Sequence, residues 1–135
     1  MAAQALPAAT ALNLTMLATE VHRGLPARAL SDLLVKLDMS QAALATALGI
    51  PERTLHRRMK SVARLTLSES ERVARLTRLF YLAEHTLGSE PRARAWLESK
   101  PKALGGRTPL EFAATEPGAR VVEQLLGRLE HGVFS

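Results

Sequence analysis

The 135 residues predict an all-α protein in which an N-terminal helix-turn-helix half is joined by a long central helix to a smaller helical half. Three observations lead there. Apolar residues recur at steps of three and four along most of the chain; no alternating run bounded by turn residues occurs; and Ser or Thr three residues before Glu, together with Gly and Pro, marks where the periodic segments start and stop. Hydrophobic residues make up 47% of the chain, enough for one compact domain or two small helical ones sharing a core, so seven or eight short helices are expected.

The composition excludes several classes. With no cysteine, neither a disulfide nor a thiolate metal site can form, which suits a cytoplasmic protein. No stretch reaches the roughly 18 uninterrupted apolar residues of a membrane span. Residues 1–12 are Ala-rich, lack a basic segment and are broken by Pro7, so they read as a flexible N-terminus and not as a signal peptide.

The first helix is expected over residues 13–22, with Leu14, Leu17 and Val21 on one side. Arg23-Gly24-Leu25-Pro26 breaks it, Gly24 suiting a C-cap and Pro26 the first turn of a helix carrying Leu30, Leu33, Leu34 and Leu37. Ser40 is the next N-cap. From Gln41 to Lys60 the spacing is that of a helix-turn-helix: Ala45 is small where two helices cross, Gly49 follows at the turn, and Leu55 lies six residues further on. Leu44, Leu48 and Ile50 fill the wedge.

Charge marks the second helix of that pair, either as an ordinary solvated face or as one that meets phosphates. Residues 1–68 carry 8 basic and 4 acidic side chains, whereas residues 69–135 carry 10 and 9, so +4 of the net charge of +5 sits at the front. With Leu55 and Met59 facing inward, Arg53, His56, Arg57 and Lys60 turn outward. Arg53 and Arg57 suit bidentate contact with guanine edges, and Arg58, Lys60 and Arg64 suit phosphates. His56 is either a surface residue or a base reader. Arg58 departs from the usual pattern, standing where many such motifs bury an aliphatic residue.

Ser68 and Glu71 form a capping box for the longest helix, about residues 69–87, whose stripe of Val73, Leu76, Leu79, Phe80, Leu82, Ala83 and Leu87 is too wide for a surface helix. It is therefore central, and Phe80 and Tyr81 are core aromatics. Gly88 ends it. Ser89-Glu90-Pro91 opens a short helix with Ala93, Trp96 and Leu97, which stops before Lys100-Pro101. Gly105-Gly106 then favours positive φ and presents Arg107, Thr108 and Glu111 form a second capping box with Pro109 at the first helical position, and Pro117 marks a last helix with Val122, Leu125, Leu126 and Leu129 on one face.

After that helix the chain ends His131-Gly132-Val133-Phe134-Ser135, an apolar close where a solvated terminus is normally polar. Val133 and Phe134 either fold back on their own domain or enter a partner's cleft. The segments ALGGRTPLE (103–111) and GRLEHGVFS (127–135), with RGLP at 23–26, closely resemble the Xre/MbcA/ParS antitoxin family over residues 13–135. Beyond the flexible stretch 1–12, the resemblance implies an Xre-like helix-turn-helix domain 13–65 and a C-terminal toxin-binding domain 66–135. It further implies a partner toxin of the RES type, an enzyme that depletes NAD, whose nucleotide cleft is plugged by the antitoxin's C-terminal segment. The complex, built on an antitoxin homodimer, would repress its own operator DNA. On this chain the toxin-contacting residues would be Arg107, Arg128, Glu130, His131, Gly132, Val133, Phe134 and Ser135.

Catalysis has no visible constellation. His22, His56, His85 and His131 are far apart in sequence, no HExxH, G-x-S-x-G or phosphate-cradling glycine loop occurs, and no cofactor is called for. A toxin-neutralising protein that also binds DNA, a stand-alone helix-turn-helix regulator and, last, an enzyme are the three classes to weigh.

Overall fold

The computed structural model describes residues 4–132. Among them the chain forms nine α-helices, one 3-10 turn and no strand. In order these are α1 (Ala8–Ala11), α2 (Leu14–Arg23), α3 (Arg28–Leu37), α4 (Gln41–Leu48), α5 (Glu52–Met59), α6 (Leu67–Leu87), α7 (Glu90–Leu97), the 3-10 turn Lys102–Leu104, α8 (Pro109–Phe112) and α9 (Glu116–Glu130). The chain divides into two compact units, residues up to Arg78 and residues from Leu79 onward. The division falls inside α6, beyond the 65/66 boundary read from the sequence.

In the first unit the local signals act where expected. Asn13 accepts from the Met16 amide and Ser40 from the Ala43 amide, so α2 and α4 start on capped turns. Gly49, at φ 69°, closes α4: its amide donates to Thr46 O and that of Ile50 to Ala45 O, satisfying carbonyls the helix end leaves open. Asp38, at φ 50°, closes α3 in the same way and is the one non-glycine with positive φ among the described residues. Leu30, Leu33 and Leu37 of α3, Leu44, Ala45 and Leu48 of α4 and Leu55 of α5 are buried, and α5 packs against both α3 and α4.

Three expectations need correction. Leu14, placed on the inner face of its helix, is 65% exposed, because α2 turns Leu17 and Val21 inward and leaves its first residue on the rim. The capping box of α6 is Thr66 with Glu69 and not Ser68 with Glu71: Thr66 Oγ1 accepts from the Glu69 amide at 3.1 Å while Glu69 Oε1 accepts from the Thr66 amide at 2.9 Å. Residues 4–12, read as flexible, are tied down. The Ala5 amide donates to Asp32 at 2.7 Å, Leu6 and Ala11 are buried, and Arg78 donates to the Ala11 carbonyl.

A clamp joins the Gly24-Leu25 segment to the α5–α6 link. The Leu65 amide donates to Leu25 O at 2.8 Å, the Leu25 amide to Ser70 Oγ at 2.9 Å, and Arg64 Nη1 to Gly24 O at 2.6 Å. Gly24 has φ 90°, and a methyl there would meet Leu65 O at 2.9 Å, so both conformation and space demand glycine.

In the second unit, Phe80 and Tyr81 meet edge to face at 5.7 Å and are buried, as expected of core aromatics. Ala93 and Leu97 of α7, Leu104, Leu110 and Ala113, and Val122, Leu125 and Leu126 of α9 are buried too. Ser89, Thr108 and Thr115 each accept an amide three residues on, starting α7, α8 and α9. Gly118, in the first turn of α9, lies so close to the Phe112 carbonyl that any side chain would overlap it.

Candidate functional site

Helix α5 presents its basic face as the spacing predicts. Leu55 is fully buried and Met59 half-buried, so Arg53, His56, Arg57 and Lys60 lie on the exposed side. His56 Nδ1 stands 3.3 Å from Gln41 Oε1, which ties this exposed face to the start of α4. Two of the expected phosphate contacts are otherwise engaged. Arg58 is half-buried and its Nε donates to Glu69 Oε2 at 3.1 Å, taking up with an ion pair the place of an aliphatic residue. Arg64 donates to Gly24 O, so its guanidinium secures the clamp.

Glu69 and Arg72 support the helix-turn-helix from α6, and the sequence reading passed over both. Burial alone would raise the Glu69 carboxyl, but the hydrogen bond from the Thr66 amide and the Arg58 guanidinium outweigh it and hold the group below the usual carboxylate range. Arg72 Nη1 donates to Leu48 O at 3.2 Å and Gly49 O at 2.9 Å, placing a cation on the C-terminal carbonyls of α4. A signal existed for Glu69 alone, since Thr66-Leu67-Ser68-Glu69 also fits a capping box.

The remaining expected contact residues come from the turn before α8 and from the end of α9. Gly105 (φ 63°) and Gly106 (φ 87°) form the expected left-handed turn, and Arg107 on it is exposed. At the end of α9, Arg128, His131 and Gly132 are exposed, and Gly132 takes φ 70°, so the chain turns as it leaves the helix. Glu130 is engaged with His85 Nε2 at 3.2 Å, both side chains remaining largely in solvent. Val133, Phe134 and Ser135 lie outside the described residues. Gly118 is a third position the sequence reading missed; its role in seating α9 on α8 depends on a contact that local pattern does not encode.

Two short helices joined by a tight turn and held by α6, followed by a second compact helical unit, define a helix-turn-helix protein. Family models give that class its kind. Residues 16–78 match the antitoxin Xre-like helix-turn-helix domain, and residues 82–132 match the antitoxin Xre/MbcA/ParS C-terminal toxin-binding domain. An Antitoxin Xre of Yersinia enterocolitica is 37% identical over 122 residues, covering 90% of this chain and 82% of the relative. An Antitoxin Xre of Photorhabdus laumondii is 35% identical over 64% of this chain, a match spanning 60% of that relative. A more distant relative, 24% identical over 85% of this chain and 78% of its own length, is named Prs ADP-ribosylating antitoxin, from Sphingobium. The chain belongs to the Xre/MbcA/ParS family of antitoxins, with an Xre-like helix-turn-helix. No described helix is long and apolar enough to cross a membrane.

Proposed function

We propose that this antitoxin neutralises a RES-type, NAD-degrading toxin by occluding its active site with the segment that follows α9, and that it represses its own operon through α5. The observation that carries the first part is the end of α9, where exposed Arg128 and His131 precede a left-handed Gly132 within a unit matched to toxin-binding domains. Such an end offers opposite charges around an apolar tail, Phe134 supplying the anchor and the Ser135 carboxylate or Glu130 meeting groups that otherwise hold phosphate. Arg107 on its glycine turn is the second contact. The name of the Sphingobium relative supports a partner in NAD chemistry, because ADP-ribosyl transfer also consumes NAD.

The exposed Arg53, Arg57 and Lys60 support operator binding, with a homodimer inside a larger toxin–antitoxin complex as the reading species and the cytoplasm as its place. Toxin contact belongs to residues 66–135 and DNA contact to residues 13–65, although 66–78 are needed by the fold of the first unit.

The test uses the full chain and the product of the neighbouring reading frame. Deleting residues 132–135 should abolish protection of NAD levels in co-expressing cells, and Phe134→Ala should loosen the purified complex about thirty-fold, roughly 2 kcal/mol, with unchanged melting. Lowered melting with retained affinity would instead assign Phe134 to the antitoxin's own fold and overturn the plug.

A further inference from the structure

We infer that Glu69 is a positioning residue for DNA reading, fixing the roll of α5 through Arg58 without itself touching DNA. The inference rests on the reading of α5 as the DNA-contacting helix. That helix packs against α3 and α4 but is short and sends few side chains inward. It has eight residues, its N-cap Pro51 gives no side-chain bond, and Leu55 is its one buried residue. At about 100° per residue, Arg53 and Arg57 lie within about 40° of each other and about 160° from Leu55, so a modest roll about the inner face of Leu55 and half-buried Met59 would carry one or both off a base edge.

A second anchor fixes the roll. Arg58 lies about 60° round the helix from Leu55, and its Nε is held by Glu69 Oε2. The other oxygen, Oε1, accepts the Thr66 amide, so one carboxylate is both the cap of α6 and the tether of α5. It is 14% exposed, where a charge-assisted hydrogen bond is stronger than at an open surface. Arg72, one turn further along α6, holds the turn between α4 and α5 by its two carbonyl bonds, so both helices of the reading unit are referenced to the same element.

Removing the carboxylate has a signature that simple destabilisation lacks. Glu69→Gln frees the Arg58 cation and raises net charge, which favours phosphate contact with any sequence, while α5 loses its fixed roll. Binding of the full-length protein to a duplex of its own upstream region and to a scrambled duplex of equal length would be measured across a salt series, well below melting. The expected result is a specific to non-specific ratio reduced about tenfold, with non-specific affinity held or raised and its salt slope steeper by about one unit. Thr66→Ala, which weakens the cap but leaves Arg58 alone, should keep the wild-type ratio. A Glu69→Gln ratio equal to wild type, or an equal fall in Thr66→Ala, would overturn the inference. Arg53→Ala separates the two levels: if it lowers the ratio and Glu69→Gln does not, only the positioning role falls, whereas a wild-type protein with no preference for the upstream duplex removes the DNA reading and this inference together.

Discussion

Ser70 Oγ accepts the amide of Leu25 at 2.9 Å, and neither residue is exposed to solvent. The pair spans 45 positions in sequence and joins the break between α2 and α3 to the first turn of α6. Ser70→Ala would leave a buried donor unsatisfied, at about 1–3 kcal/mol. The expected outcome is a melting midpoint several degrees lower, read by circular dichroism, with a native far-UV spectrum at low temperature.

The start of α6 gives a contrast between two overlapping candidates. Thr66→Ala should cost about 1 kcal/mol of stability by removing the cap, while Ser68→Ala should change it by less than about 0.5 kcal/mol. Urea denaturation of the two variants checks this, and equal effects would restore the Ser68 cap.

Two glycines of α9 should respond in opposite directions. Gly118→Ala must push α9 away from the Phe112 carbonyl and should cost about 1–3 kcal/mol or more. Gly127 meets nothing within 4 Å, so Gly127→Ala should stabilise by up to about 1 kcal/mol through helix propensity. Thermal melts of both variants decide it.

On α5, Arg53→Ala and Arg57→Ala should each weaken operator binding by about 1–3 kcal/mol without lowering stability. Arg64→Ala should behave differently, because its guanidinium holds the Gly24 carbonyl: stability falls together with affinity. Gel shifts paired with melting curves on the same samples distinguish the two patterns.

Acid should act through Glu69. Its folded pKa is depressed, so its stabilising contribution is fully present above the unfolded carboxylate value, about 4.3, and is lost as pH falls through the lower folded value. The stability difference between wild type and Glu69→Gln should therefore be constant from pH 7 to about 5 and shrink below that. Urea midpoints across this range provide the measurement, and a difference that grows in acid would contradict the sign.

What was legible in the sequence was local. Ser40, Ser89 and Thr108 cap their helices because the partner amide is always three residues on, and Gly24, Gly49, Gly105 and Gly106 show positive φ because a break in the apolar pattern needed it. The basic face of α5 was legible for the same reason, its geometry following from Leu55 alone. The intramolecular partners of Arg58 and Arg64 were not legible, because Glu69 and Gly24 lie 11 and 40 residues away and charge on a helix says nothing about which distant oxygen it meets. The α6 cap was ambiguous since two Ser/Thr–Glu pairs interleave there, and what distinguishes them is the Arg58 ion pair, a tertiary contact. Ala5, tied to Asp32 over 27 positions, was invisible in an Ala-rich stretch of low complexity.

The clamp at Gly24 and Leu25 has a consequence for hydrogen exchange. The amides of Leu25 and Leu65 are each held by a partner far along the chain, and Leu25, Leu65 and Ser70 are all buried. Their exchange requires the segment before α3 and the link before α6 to separate, an opening that dismantles the first unit as a whole. These two amides are thus reporters of that unit's global unfolding free energy, readable in a single deuterium-exchange series, whereas the Met16 and Ala43 amides at capped helix starts report only local opening.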